Sequence, residues 1–161
     1  MVNGVTYLHN VLYIVCEKSA YIDMYTADTL SPLGEGIHVE DMKNPTDIVV
    51  CRHGRQLYVP DSGECIWAVS VDAHSRMKWL PTESKTGRFN VTSLSVTSQR
   101  LLVTSQRRKL YHMTDTTTGW CEVSLPEYVS RVEHAAETTH RKCVVCYQGT
   151  FQHSKQHAVS H

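Results

Sequence analysis

Long apolar runs are missing from this chain of 161 residues. The longest, Val11 to Cys16, covers six positions, where a membrane-crossing helix needs roughly 20. No membrane partner is therefore expected. An excess of charge of either sign is missing too: Lys plus Arg and Asp plus Glu both number 16, so no global field draws the chain to nucleic acid or to an anionic surface. Any basic surface has to be local. The opening MVNGVTYLHN has neither a basic stretch nor a long apolar one, so it does not read as a secretory leader, and the cytoplasm is the expected compartment. Sustained 3.6-residue periodicity is absent, so almost no helix is expected. Also absent are a Gly-x-Ser-x-Gly elbow, a phosphate loop and a His-Glu-x-x-His pair.

What is present begins with 41% apolar residues, enough for a packed core. Six cysteines could suggest a disulfide framework, but in a cytosolic chain they read as free thiols. Cys16, Cys51, Cys65, Cys143 and Cys146 lie in or beside apolar strand-like runs, where a thiol packs as a small hydrophobe.

A repeat is the strongest signal. The segments NVLYIVCEKSAYIDMYTAD, RQLYVPDSGECIWAVSVD and QRLLVTSQRRKLYHMTDT each show an apolar strand, a short polar turn and a second strand. Leu12, Leu57, Leu101 and then Cys143 recur at intervals of 45, 44 and 42 residues. A strand precedes each copy (GVTYL, TDIVVC, TSLSVTS, RVEHAAETT), and one follows each of the first three (GIHVEDM, RMKWLP, CEVSLP). Four short strands in about 40 to 45 residues is the blade period of a β-propeller. The expected fold is all-β, a partial β-propeller of four-stranded antiparallel blades. Its boundaries are 4–44, 45–90, 91–130 and an incomplete 131–148, followed by a poorly ordered tail, 149–161. The four equivalent positions are expected to be buried on the second strand of each blade.

The residues of the second copy also carry a family resemblance. Pro45-Thr46-Asp47-Ile48-Val49-Val50, Gly54, Leu57-Tyr58-Val59-Pro60-Asp61-Ser62-Gly63 and Ile66 resemble an NHL repeat, a pattern shared with other six-bladed, TolB-like propellers. The likeness runs from about Gly4 to Gln148. It implies a propeller whose loop-bearing faces bind proteins, peptides or RNA. Rings of this family have six blades, so the resemblance implies that this chain is a fragment, one of two chains that complete a ring, or an open arc, with a fragment or a divergent, truncated copy the favoured reading. Open terminal blades expose sheet faces, and self-association is expected from them.

Candidate chemistry is sparse. Cys143 and Cys146 form a C-x-x-C, but residues three apart on a strand point to opposite faces. His153, His157 and His161 would share one face if the tail were helical, making them the weak candidates for a metal. A lactonase-like metal-dependent hydrolase would need carboxylates on the first strands, where Asp47 stands alone beside Thr46, Thr92 and Ser95. No catalytic residue and no cofactor is expected. Arg52-His53-Gly54-Arg55 and Gln106-Arg107-Arg108-Lys109 fall in turns of different types that open on opposite faces, which counts against a single RNA surface.

The expected function is therefore a non-catalytic interaction scaffold for a protein or peptide, with RNA binding and hydrolysis as the alternatives. Its ligand face is expected to carry the turns after second strands (Lys18, Asp61, Glu64, Arg107, Arg108) and the inter-blade connections (Lys43, Asn44, Glu127, Tyr128).

Overall fold

In a computed structural model, the described residues are 1–51, 55–62, 65–72, 76–79, 91–97, 100–105, 109–114, 120–127, 129–137, 143–149 and 155–159. Their regular elements are all strands, and among the described residues no helix is long and apolar enough to cross a membrane. The chain divides into two units, Met1–Leu80 and Pro81–His161.

In the first unit, strands β1 (Val2–Leu8), β2 (Val11–Cys16), β3 (Tyr21–Thr26) and β4 (Ile37–His38) make one antiparallel sheet in chain order. Strands β5 (Val49–Cys51), β6 (Gln56–Asp61), β7 (Cys65–Ser70) and β8 (Arg76–Trp79) make a second. The β1–β2 turn is His9-Asn10, with φ of 47° and 62°. Two left-handed residues in succession give a turn whose twist matches that of the flanking strands. Asn10 also ties the turn down, its side-chain amide donating to Asp28 over 2.9 Å.

Alternation places Tyr13, Val15 and Ile22 of the first sheet against Leu57, Val59, Trp67 and Val69 of the second, in one core. The second sheet is apolar on both faces. Leu57 and Val59 are buried on one side, and Tyr58 and Ile66 on the other.

The second unit repeats the plan. Strands β9 (Val91–Val96), β10 (Arg100–Ser105), β11 (Lys109–Thr114) and β12 (Trp120–Val123) form a four-stranded sheet. Strands β13 (Val129–Glu137), β14 (Cys143–Gly149) and β15 (Lys155–Val159) form a three-stranded one. Leu102, Leu110 and Val123 pack with Val132, Ala135, Val145 and Tyr147.

Residues 155–159, beyond the last blade boundary read from the sequence, form β15, whose backbone pairs with the edge of β14 from Cys143 opposite Val159 to Tyr147 opposite Lys155. A sheet edge offers unpaired amides and carbonyls, which a modest alternating sequence can satisfy. Of the three tail histidines, only His157 falls within the described residues, on β15. His153 and His161 lie outside the described residues. One expectation needs correcting, the burial of the repeated position. Leu12, Leu57 and Leu101 are each the second residue of β2, β6 and β10, and Cys143 opens the corresponding β14. Leu57 and Leu101 are buried, but Leu12 is only half-buried, because its face of the first sheet points outward.

Within each unit the sheets are joined by the same device. A register shift in β1 between Val2 and Gly4 frees Asn3, which donates to the carbonyl of Pro45, just ahead of β5, over 2.7 Å. A shift in the pairing of β9 with β10 frees Thr92, which reaches the carbonyl of Val132 in β13 at 3.4 Å. A bulge re-aims one side chain out of the pleat. Here it aims a donor at the next first strand. Gly4 makes the close approach in the first unit feasible, since a Cβ there would stand 2.8 Å from the amide nitrogen of Ile48.

Candidate interaction face

The loops at one end of the first unit converge on Asn44. Its side-chain oxygen accepts from the amide of Lys18, in the β2–β3 turn, at 3.3 Å. Its carbonyl accepts from the amide of Ser62 at 2.9 Å, and its own amide donates to Asp61 at 2.7 Å. One residue of the connection between sheets thus fastens two turns. Lys18 and Asp41 both have left-handed backbones, with φ of 58° and 67°. Such conformations in residues other than glycine are retained where surrounding contacts impose them.

Asp61 lies beneath this surface. It is 2% exposed, and its two oxygens accept from the amides of Lys43 (2.9 Å) and Asn44 (2.7 Å) and from the indole of Trp67 (3.3 Å). A buried carboxylate with three donors is a fastening. Its expected place on the ligand face is therefore corrected: a turn aspartate reads as exposed, but this one closes inward on the preceding connection.

What remains outward is mixed in charge. Lys18 and Lys43 are exposed beside Glu17, Glu40 and Asp41, and the Lys18 ammonium stands 3.8 Å from Glu17. Of the other candidates, Glu127 is exposed in the turn after β12, in the second unit. Glu64, Arg107, Arg108 and Tyr128 lie outside the described residues.

A second polar cluster was not foreseen. Ser93 Oγ of β9 lies 2.8 Å from His134 Nδ1 of β13 and 3.1 Å from Thr104 Oγ1. Thr104 also meets Thr92 at 2.8 Å and accepts from the Ser93 amide at 3.1 Å. The Ser–His distance is one at which a base can hold a nucleophile. Here, however, Ser93 is also bonded to the buried Thr104, and the Thr92–Val132 bond runs beside it, so the cluster fastens two first strands. Among residues of this polarity the only sequence signal is their place on first strands; the 41-residue separation of Ser93 and His134 hides the pairing.

Asp47 caps its own strand, accepting from the Ile48 amide at 2.8 Å. Among the described residues no three His, Cys, Asp or Glu side chains gather as a metal site. Cys16, Cys51, Cys65 and Cys146 are free thiols.

No protein-family model matches the sequence, and neither does any curated protein sequence. Solved structures do resemble it. The chain is similar over 92% of its length to a chain of a nidogen/laminin complex (TM-score 0.75, 15% identity), filling 57% of that chain. It is similar over 98% of its length to a streptogramin B lyase (TM-score 0.70, 10% identity), filling 54% of it. It is also similar over 99% of its length to the computationally designed protein Ika4 (TM-score 0.66, 8% identity), filling 92% of it. The chain thus spans little more than half the length of the first two. Identities this low carry the fold alone. With four antiparallel sheets in meander order and β-propeller neighbours, the fold is that of a partial β-propeller.

Proposed function

We propose that this chain is a non-catalytic scaffold, of the NHL type that its second repeat resembles, binding a protein or peptide through the loop surface centred on Asn44. The observation that carries this reading is the convergence of three separate loops on that one residue, which holds Lys18 and Lys43 on a common, pre-formed surface. Pre-formed loops lose little freedom on binding. The outward charges are of both signs, which suits a protein surface better than a phosphate backbone. The nidogen/laminin neighbour is itself a structure of two proteins in complex, which supports the same reading. Free thiols suit the cytoplasm.

The test is photo-crosslinking in cells from a reactive residue placed at position 18 or 43, with Met77 as the control position. Protein adducts from each of positions 18 and 43, weakened when the other lysine becomes glutamate, are expected. RNA adducts, or adducts equal at all three positions, would count against the reading.

A further inference from the structure

The seam of the first unit makes two demands on neighbouring residues of β1. One residue must offer a side-chain donor to the carbonyl of Pro45, which Asn3 does over 2.7 Å. The next must lack a Cβ, because one at position 4 would stand 2.8 Å from the Ile48 nitrogen and 3.0 Å from the Asp47 carbonyl carbon. Asn3-Gly4 meets both. The other asparagines, Asn10, Asn44 and Asn90, precede Val, Pro and Val.

In Asn-Gly a backbone nitrogen readily attacks the preceding side-chain amide, since glycine has no Cβ to hinder the approach and turns freely about its backbone. The Gly4 nitrogen would bond to Cγ of Asn3 and lose its proton to solvent, while the Cγ–Nδ2 bond breaks and ammonia leaves. Water then opens the five-membered imide, giving an aspartyl or an isoaspartyl residue at position 3. No oxidant or reductant takes part.

The fold controls when this can happen. A register shift between Val2 and Gly4 leaves Asn3 outside the β1–β2 ladder, although Met1 beyond it is tied to the Glu17 amide at 2.7 Å. Before the ring can close, Asn3 must release Pro45 and turn about its own backbone. Pro45 is in turn held by the second sheet: it bridges to Asp61, whose carboxylate grips the amides of Lys43 and Asn44, and the next amide, Thr46, donates to Pro60 at 2.9 Å. The Asp61 fastening therefore guards Asn3.

We propose that Asn3 is a modification site gated by the seam, protected while it donates to Pro45 and converted to a carboxylate by Gly4 when the connection carrying Pro45 lifts. A carboxylate facing the Pro45 carbonyl has no proton to give, so the converted seam cannot close again. Openings of the seam thus accumulate as a covalent mark. This goes beyond the loop-mediated binding above and does not depend on it.

The test is to incubate the 161-residue chain in mildly alkaline buffer and follow position 3 by peptide mass spectrometry, which reads the exchange of NH2 for OH. Conversion in the native chain is expected to be about tenfold or more slower than in urea above the unfolding transition, as for a reaction that waits on local opening. Asp61→Asn is expected to speed it several-fold; so is urea below the transition with the unaltered chain, an arm that stands even if the variant does not fold. Asn10 is expected to stay intact. The converted chain, separated by ion exchange, is expected to unfold at least as fast as Asn3→Ala. Equal rates in folded and unfolded chains, indifference to both Asp61→Asn and low urea, conversion of Asn10 to match Asn3, or a converted chain that unfolds like the unaltered one would each overturn the proposal.

Discussion

The carboxylate of Asp61 lies 2.7 Å from the amide nitrogen of Asn44, seventeen residues earlier in the chain. The neighbouring amide of Lys43 and the Trp67 indole close on the same carboxylate, so Asp61 fastens the inter-sheet connection to its own sheet. Asp61→Asn keeps the shape but turns an NH2 toward groups that are all donors. A loss of about 3 kcal/mol or more is expected from urea unfolding. Faster amide exchange at Lys43 and Asn44 is expected with it.

Glycine positions offer a second, sharper test. Gly4→Ala drives a Cβ to 2.8 Å from the Ile48 nitrogen, a backbone atom unable to step aside. A destabilisation of about 1–3 kcal/mol is expected. Gly34→Ala meets nothing within 4 Å and is opposed only by its φ of +68°, so about 1 kcal/mol is expected there. Chemical denaturation of both variants separates crowding from backbone conformation.

Tyr13 is 3% exposed. Burial pushes its hydroxyl above the ordinary value of 10.0, with Arg55 opposing the rise and Asp72 adding to it. A raised folded-state value means the native protein holds this proton more tightly than the unfolded chain. The stability this contributes is complete below about pH 10 and is lost as pH rises through the folded value. Thermal melts between pH 9 and 11 are expected to show a decline that is shallower in Tyr13→Phe. An identical decline in the variant would contradict the assignment.

The thiols are expected to sort by exposure. Cys65 is fully buried, whereas Cys16, Cys51 and Cys146 are partly open. Under native conditions a maleimide is expected to modify Cys65 last. In denaturant without reductant all six cysteines are expected to react; mass spectrometry revealing a bridge would reverse both the thiol assignment and the proposed compartment.

For the Ser93–His134 pair the expected effect is on stability alone. Ser93→Ala should lose about 1 kcal/mol, the net worth of one such bond. A fluorophosphonate reagent should leave Ser93 unlabelled. Labelling that disappears in His134→Ala would make the pair a nucleophile and its base, and the scaffold reading would fall.

How far the sequence speaks can be judged from particular residues. The strands around Leu12, Leu57 and Leu101 are legible because a period of two and a repeat near 44 both come from local chemistry. The role of Asp61 is not: its residue type marks a turn, while its donors at Lys43 and Asn44 belong to a different connection. Ser93 and His134 meet only because two first strands lie side by side. Strand β15 escapes notice because its pairing is set by the edge of β14 rather than by its own composition. Long-range polar geometry is where local pattern falls silent.

The seams made by Asn3 and Thr92 imply an order of events when the protein folds. Each sheet is a meander whose neighbours are close in sequence, whereas these bonds join positions 42 and 40 residues apart. Closing loops of that length costs about 3 kcal/mol in chain entropy beyond a constant, against far less for a tight hairpin. The sheets should therefore form early and the seams late. Asn3→Ala and Thr92→Ala would then hasten unfolding while leaving the folding rate nearly untouched. On a ribosome, the first seam could close once β5 and β6 had emerged, while the rest of the chain was still being made.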